Sequence, residues 1–250
     1  MADGTSRFSA KGKDIHHYKG VSSLSEYTVV SASAVAVIQK DIPLENLSLF
    51  ARCIPSGYGA VNNVAKVPAG ATVAVYGCGG VGLSVIKAAK EANAIKIFAI
   101  DVNPTKLEKA KSLGATDTIN PNDHPDESVD EIINKQLMLG VDFAFVACNG
   151  GTQVINTAFE STILGWGFSL ILSEPSTDSV LATIPFNFVK GKSITSCANG
   201  NVKPSEISSL VEKFASGSIS LDGLVESSTA LDQVSALHDN NAVRTIVSFS

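Results

Sequence analysis

The stretch Gly77-Cys78-Gly79-Gly80-Val81-Gly82 decides the fold of this chain. The β-rich run 71–76 leads directly into it, and a helix-compatible stretch from Leu83 to Ala92 follows. In this context a G-x-G-x-x-G turn cradles a dinucleotide. Its first glycine allows the tight turn, its second keeps a Cβ away from the pyrophosphate, and its last lets the helix pack on the strand. Backbone N–H groups at the helix N-terminus then favour an anion.

Asp101 supports this interpretation, because the glycine pattern alone is weak in a chain with 20 glycines. It ends the second β-rich run, nineteen residues after Gly82, where a carboxylate accepts hydrogen bonds from an adenosine ribose. It also repels a 2′-phosphate, and no arginine is near it in sequence, so NAD is favoured over NADP. Val102 and Lys106 are further candidates for nucleotide contact; for Lys106 the alternative is a solvated surface lysine. The alternative for the whole motif is a glycine-rich turn without a ligand.

From residue 71 onward, short β-rich runs alternate with longer helical stretches, which indicates an α/β protein with a doubly wound, parallel, six-stranded sheet. The helix after the second strand has the clearest limits, because Asn103 suits the N-cap, Pro104 the first helical position and Gly114 the C-terminus. The predicted strands are Thr72 to Tyr76, Ile95 to Ile100, Asp117 to Ile119, Val141 to Val146, Phe168 to Leu172 and Ser193 to Cys197.

The flanks lack this alternation and look like two pieces of a second domain. An extended stretch from Leu24 to Ile38 precedes a helix that is predicted to begin near Pro43. Beyond the sheet, helices are predicted near Pro204 and Leu231, followed by a closing strand from Val243 to Phe249.

The composition excludes several classes of function. The chain has 250 residues, a net charge of −5 and a pI near 5.4, whereas nucleic-acid and membrane-surface partners select for basic patches. Its apolar runs are too short to span a bilayer, and the polar residues after Met1 do not form a secretory signal, so we expect a cytoplasmic protein. Cysteines at positions 53, 78, 148 and 197 fit neither a zinc knuckle nor a redox pair, and we expect small buried side chains there.

In its motifs the chain resembles the zinc-containing alcohol dehydrogenases of the medium-chain type, including their glutathione-dependent formaldehyde dehydrogenase branch. The resemblance covers essentially the whole sequence. The segments that carry it are Gly4-Thr5-Ser6-Arg7-Phe8, Ile15-His16-His17, Ser25-Glu26-Tyr27-Thr28-Val29-Val30, Gly77 to Ser84, Gly114-Ala115-Thr116, Asn120-Pro121, Gly140-Val141-Asp142-Phe143 and Val243-Arg244-Thr245-Ile246.

This resemblance implies a Rossmann coenzyme domain at residues 54–198, with residues 1–53 and 199–250 as two parts of a partial GroES-like catalytic domain. It implies that Arg244 contacts the pyrophosphate. It also implies a homodimer through the last strands of the sheet, within the segment from Gly167 to Cys197. The alternative is a monomer whose sheet edge is covered by its own C-terminal helices.

The family's zinc sites are expected to be absent from this chain. The family begins earlier in sequence, and that earlier part holds two of the three protein ligands of the catalytic zinc and the structural zinc lobe. The third ligand is a cysteine, and an ungapped alignment places Arg52 there, with Cys53 one position later. A cation cannot serve as a zinc ligand, and one neighbouring thiolate cannot complete the four-coordinate geometry.

Other departures from the family cluster where the nicotinamide would lie. Glu174 and Asn199 replace apolar residues that are usual in the family, and Val146 and Asn149 alter its E-x-x-G stretch. The residues expected around the adenosine thus match the family pattern, whereas those expected around the nicotinamide differ from it. Drift in a chain released from catalysis and a new activity both explain this pattern.

Three functional hypotheses follow. The first is an NAD-dependent oxidoreductase without zinc, in which Arg52 stabilises a developing oxyanion and Ser56 hydrogen-bonds near the nicotinamide; the alternative for Arg52 is a partly exposed charge without such a role. The second is a non-catalytic NAD-binding protein. The third is an incomplete alcohol dehydrogenase chain whose barrel another chain completes, because strand edges around Glu26 to Ile38 would otherwise stay unpaired. The sequence names no substrate.

Overall fold

Ten strands are present in the computed structural model, which describes residues 4–17, 20–38, 42, 47–217, 219, 224, 227–234 and 245–248. In chain order they are β1 (Phe8–Ala10), β2 (Lys13–Ile15), β3 (Thr72–Tyr76), β4 (Lys96–Ile100), β5 (Asp117–Ile119), β6 (Phe143–Val146), β7 (Phe168–Ile171), β8 (Ser193–Ser196), β9 (Ser227–Ala230) and β10 (Thr245–Ser248).

Six of these strands form the central sheet in the order β5-β4-β3-β6-β7-β8, and every neighbouring pair is parallel. The chain moves outward from β3 to β4 and β5, then returns to β6 and moves outward on the other side. The gap between β3 and β6 is therefore the switch point at which such sheets bind ligands. This confirms the predicted doubly wound sheet, and the predicted strand ends differ from the observed ones by at most two residues.

Helices cover both faces of the sheet. They are α1 (Cys53–Gly59), α2 (Gly80–Glu91), α3 (Pro104–Leu113), α4 (Val129–Leu137), α5 (Gly151–Glu160), α6 (Phe186–Val189) and α7 (Pro204–Ala215). Val73 and Val75 of β3 are buried against the face that carries α1, α2 and α3. Ala74 and Tyr76 are buried against the face that carries α4 and α5. The alternation follows from the two-residue period of a strand. Among the described residues, no helix combines the length and apolar character needed to cross a membrane.

Helix α3 begins and ends where its sequence signals predict. The Asn103 side chain accepts hydrogen bonds from the backbone N–H of Thr105 at 2.9 Å and of Lys106 at 3.3 Å, and Pro104 occupies the first helical position. Gly114 ends the helix with a φ of +128°, a conformation that other residues rarely adopt. These contacts fix the loop that carries Asp101.

Helix α1 is clamped between α2 and the turn Asn199–Asn201. A Cβ on Gly57 would lie 2.4 Å from the Cβ of Ser84 in α2, and a Cβ on Gly59 would lie 2.3 Å from the carbonyl oxygen of Gly200. Only glycine allows these approaches. The same apolar core includes Phe50 before α1 and Val211 of α7, so residues on both sides of the expected boundaries at 53/54 and 198/199 pack together.

The described residues of the flanks form two short strand pairs and the helix α7. β1 and β2 form an antiparallel hairpin, and β9 and β10 form a parallel pair. Residues 24–38 contain a single turn of 3₁₀ helix, Ala32–Ala34, in place of strands. The helix expected near Pro43 begins outside the described residues, as does the start of the closing strand at Val243, whereas the helix at Pro204 is confirmed.

Strand β8 forms one outer edge of the sheet, next to β7. It pairs with β7, and Leu170 of β7 is fully buried in the apolar core, so the run Leu170 to Leu172 does not lie at the sheet edge. The segment before β8, which includes α6, exposes these apolar side chains: Val180, Ile184, Phe186 and Val189. Trp166 is also exposed, and its ring N–H donates to the Asp142 carboxylate at 2.7 Å.

Candidate functional site

The glycine turn has the geometry of a phosphate cradle. A Cβ on Gly82 would stand 1.8 Å from the carbonyl oxygen of Gly77, so the start of α2 touches the turn itself. A Cβ on Gly79 would meet no atom within 4 Å, because this position faces open space. The first hydrogen bond of α2 joins Leu83 N–H to the Gly79 carbonyl, so the preceding N–H groups of Gly80, Val81 and Gly82 have no intrahelical acceptor. The cradle can therefore accept an anion.

Asp101 lies directly beside this turn. One carboxylate oxygen accepts from the backbone N–H of Cys78 at 2.7 Å, and the other accepts from Asn103 N–H at 2.9 Å. A carboxylate has about four acceptor sites, so these two bonds leave capacity for ribose hydroxyls. The backbone N–H of Gly77 also donates to Ile100 at 2.7 Å. The end of β4 and the phosphate turn are thus one hydrogen-bonded unit.

Cys78 contributes packing to the turn. Its side chain is buried, and its thiol lies 3.8 Å from the Ile100 carbonyl oxygen. Burial, reinforced by the Asp101 charge, raises the pKa of this thiol far above its ordinary value, while the Lys106 charge acts in the opposite direction. The thiol is therefore neutral and a poor nucleophile. Lys106 lies in the first turn of α3, and its contact with a nucleotide stays a prediction.

A cleft of about 460 Å³ opens at the carboxyl ends of β3, β4 and β6. Asp101 and Val102 form one wall, and Cys148 and Asn149 after β6 form another. The remaining lining comes from Tyr76, Gly77, Ile100, Pro121, Glu127, Ser128, Val129, Gly150, Gln153, Val154 and Thr157. Apolar walls with a few amide and carboxylate groups are typical of a site for a planar base joined to a ribose.

A second cavity of about 250 Å³ adjoins this cleft, since Asn149 lines both. It lies at the carboxyl ends of β6 and β7 and is lined by Ser173, Glu174 and Pro175 together with Gly151, Ile155, Ser176 and Ser179. Asp101 follows β4 and Glu174 follows β7, three strands away, which corresponds to roughly 14 Å across the sheet edge. The first cleft therefore spans the switch point, and the second cavity lies beyond it on the β7 side.

Arg52 and Glu174, two residues that depart from the family pattern, contact each other at the second cavity, which Glu174 lines. A terminal nitrogen of Arg52 lies 2.9 Å from Oε1 of Glu174, and the two side chains are 45% and 58% exposed. The backbone of Arg52 is fixed, because its N–H donates to Leu49 and its carbonyl accepts from Ser56. An ion pair this exposed contributes roughly 0–1 kcal/mol of stability. The pair is therefore easy to open.

Ser56 and Asn199, a second pair of predicted site positions, also contact each other. The Ser56 hydroxyl donates to the side-chain oxygen of Asn199 at 3.4 Å, and Ser56 is buried. Arg52 is the residue before α1, and its carbonyl accepts the first hydrogen bond of that helix from the N–H of Ser56 at 3.0 Å. The structure thus brings Arg52, Ser56, Glu174 and Asn199 together as two contacting pairs, whereas Arg244 lies outside the described residues.

The described residues do not fit a zinc ion at this position. Arg52 is a cation, and Cys53 is buried in the first turn of α1 within the apolar core. Within the part of the chain that the structure describes, no three His, Cys, Asp or Glu side chains form a group that could hold a metal. Zinc sites in proteins require several such donors.

Several lining residues of the cleft were not predicted as site residues, among them Pro121, Gln153 and Val154. Each follows the carboxyl end of a parallel strand, β5 or β6, and this position is the signal that sequence reasoning could have used.

The cysteines only partly match their prediction. Cys53 and Cys78 are buried, whereas Cys148 and Cys197 are half-buried.

Comparison with known proteins identifies dehydrogenases as relatives of this chain. A family model described as zinc-binding dehydrogenase matches residues 80–216. The S-(hydroxymethyl)glutathione dehydrogenase of Photobacterium damsela subsp. piscicida is 40% identical over 254 aligned positions, and that of Synechocystis sp. is 39% identical. Both alignments cover 100% of this chain and 68% of the relative.

Solved structures show the same architecture. Benzyl alcohol dehydrogenase from Acinetobacter calcoaceticus matches with a TM-score of 0.78 at 27% identity, over 86% of this chain. A protein titled alcohol dehydrogenase zinc-binding domain protein, from Burkholderia ambifaria, matches with a TM-score of 0.76 at 26% identity, again over 86% of this chain. The chain spans 59% and 58% of the lengths of these two structures.

Proposed function

Because the chain belongs to the zinc-binding dehydrogenase family, we propose that it is an oxidoreductase that binds NAD(H) and acts on a small alcohol, aldehyde or related carbonyl compound without a zinc ion at the Arg52 position. The observation that carries this proposal is the Asp101 carboxylate held 2.7 Å from the phosphate turn. The cofactor would supply the hydride donor or acceptor.

We base the proposed roles on the family resemblance and, where the structure describes the residue, on its position. Asp101 accepts from the adenosine ribose and excludes a 2′-phosphate, and Val102 packs on the base. The N–H groups of Gly80, Val81 and Gly82 bind the pyrophosphate, with Lys106 nearby and Arg244 as a further proposed contact. At the other end, Ser56 hydrogen-bonds near the nicotinamide and Arg52 stabilises negative charge on an oxygen of the substrate.

The proposal is tested by a turnover assay. Small aldehydes and alcohols are offered to the purified chain with NADH or NAD, with and without added zinc, and NADH absorbance is followed. We expect turnover of at least one compound, independent of zinc and lost in Gly79→Ala. Saturable NADH binding without turnover of any compound would contradict an enzymatic role.

A second candidate is a nucleotide-binding protein without turnover. The observation that favours it is the ion pair between Arg52 and Glu174, because it occupies the position where the family places a metal ligand. The first candidate is preferred, since the chain belongs to a family of dehydrogenases and Arg52 supplies a positive charge that can stabilise a developing oxyanion.

Elemental analysis of the purified chain tests the proposed absence of zinc. We expect no stoichiometric zinc after dialysis, because Arg52 cannot ligate it and the single neighbouring thiolate of Cys53 cannot complete the four-coordinate geometry. One zinc per chain that disappears in Cys53→Ser would show that Cys53 is a ligand and that the alignment of Arg52 is wrong.

We also propose a homodimer through the edge at β8. The segment before β8, which includes α6, exposes Val180, Ile184, Phe186 and Val189, and apolar side chains beside an open edge strand are normally covered. Ile184→Lys should yield monomers that still bind NADH, because the phosphate turn follows a different strand. Met138→Lys, at another exposed apolar position, is the matched control. Light scattering that shows only monomers for the unmodified chain at micromolar concentration would refute the dimer.

Two further expectations belong to this proposal. A cytoplasmic location agrees with four cysteines that are thiols and not disulfides, since reducing compartments favour thiols. The division into a coenzyme domain at 54–198 and a catalytic domain at 1–53 and 199–250 follows the family's architecture. No nucleic acid or membrane partner is proposed.

A further inference from the structure

We propose that Arg52 binds a carboxylate group of the substrate, and that Glu174 occupies this place until the substrate arrives. The substrate class is then a hydroxy or oxo compound that carries a carboxylate. The inference rests on the proposed function only in assigning the carboxylate to a substrate, because the anion site itself follows from the contacts around Arg52.

The first argument is the contact itself. Arg52 holds an oxygen of the Glu174 carboxylate at 2.9 Å, so a carboxylate already fits this position. A guanidinium presents five donors in a planar fork that matches a carboxylate. The contact shows which chemical group the site accepts.

The second argument is the low cost of exchange. Both side chains are about half exposed, so the pair adds little to stability, and Glu174 can return to solvent without loss of its hydration. An incoming carboxylate therefore competes with a weak internal partner. Glu174 raises the concentration of substrate that is needed and excludes ligands that cannot replace it.

The third argument is the arrangement of neighbouring polar groups. Ser56 is joined to Arg52 through the backbone, since its N–H donates to the Arg52 carbonyl at 3.0 Å, and its hydroxyl contacts Asn199. Glu174 also lines the cavity beside Asn149. The Ser56 hydroxyl and the Asn199 amide are uncharged donors on the elements that adjoin Arg52. This combination suits an oxo acid better than an uncharged aldehyde.

Arginine-selective ¹⁵N labelling gives a direct test, because the chain has only three arginines, Arg7, Arg52 and Arg244. The Nε–H signal of Arg52 is assigned with Arg52→Gln and followed while oxamate, an unreactive carboxylate, is added to the NADH-saturated chain. We expect a saturable shift of this signal with oxamate and none with propionamide, which is uncharged.

Variants distinguish the displacement of Glu174 by oxamate from a general effect of charge on oxamate binding. Glu174→Gln should tighten oxamate binding roughly two- to fivefold, because the internal competitor is removed, and Arg52→Lys should weaken it because the fork is lost. Lys96→Gln is the control, since Lys96 forms an ion pair with Asp117 at the opposite edge of the sheet. It should leave oxamate binding unchanged.

An unmoved Arg52 signal in a chain that binds NADH would overturn the inference and leave the proposed function intact. Unchanged or weaker oxamate binding in Glu174→Gln would also overturn it. Conversely, a saturable Arg52 shift in a chain that does not bind NADH would support the anion site and refute the proposed function.

Discussion

Gly79→Ala should fold normally and lose NADH binding, whereas Gly82→Ala should lose stability. The methyl group of Gly79→Ala enters open space at an ordinary φ of −77°, so the melting temperature of this variant should match that of the unmodified chain. We place the pyrophosphate in that space. The NADH affinity of the variant should therefore fall at least about tenfold, or 1.4 kcal/mol. The methyl group of Gly82→Ala would stand 1.8 Å from the Gly77 carbonyl oxygen. Forced overpacking of this kind costs roughly 1–3 kcal/mol or more.

Thermal unfolding and calorimetric titration measure these two properties separately. For a chain of this size, each kcal/mol corresponds to roughly 2–4 °C in the melting temperature. Gly217→Ala is the control for NADH affinity, because Gly217 lies outside the turn. A methyl group there also meets no neighbour, but φ is +77°, so this variant is not a control for stability. Full NADH affinity in a well-folded Gly79→Ala would show that the turn does not hold the pyrophosphate.

Asp101→Asn should lower NADH affinity roughly 10- to 100-fold and narrow the preference for NADH over NADPH. Hydrogen bonds to a charged group are worth about 1.5–3 kcal/mol, and the substitution also removes the charge that repels a 2′-phosphate. The new amide nitrogen cannot accept from the N–H of Cys78 or Asn103, so the turn itself is weakened.

Asp117→Asn is the matched control for this prediction. It removes one carboxylate from β5, where Asp117 binds Lys96 at 2.7 Å, and it should leave the cofactor preference unchanged. Equal changes of preference in both variants would mean that net charge, and not the position of Asp101, selects the cofactor.

The central sheet could be predicted from the sequence because each of its signals is local. The run 72–76, the glycine turn and the Asn103 cap act over a few residues each, and the structure places all of them as predicted. Asp101 could be found because a nucleotide-binding turn and its carboxylate have a fixed separation in this fold.

The reactive end of the site could not be predicted in the same way. Arg52, Glu174 and Asn199 are far apart in sequence, and each one alone is only a departure from a family pattern. Their pairing depends on how closely α1 packs on α2 and on the turn at Gly200, which glycine at positions 57 and 59 permits. The stretch from Leu24 to Ile38, expected to be extended, forms no strand, since a strand needs a partner and the residue types of a segment do not supply one.

Calorimetric titration of the unmodified chain with NADH and with NADPH under identical conditions tests the central claim most directly. The account predicts one NADH site per chain and weaker binding of NADPH. Equal affinities, or no binding of either nucleotide, would contradict it.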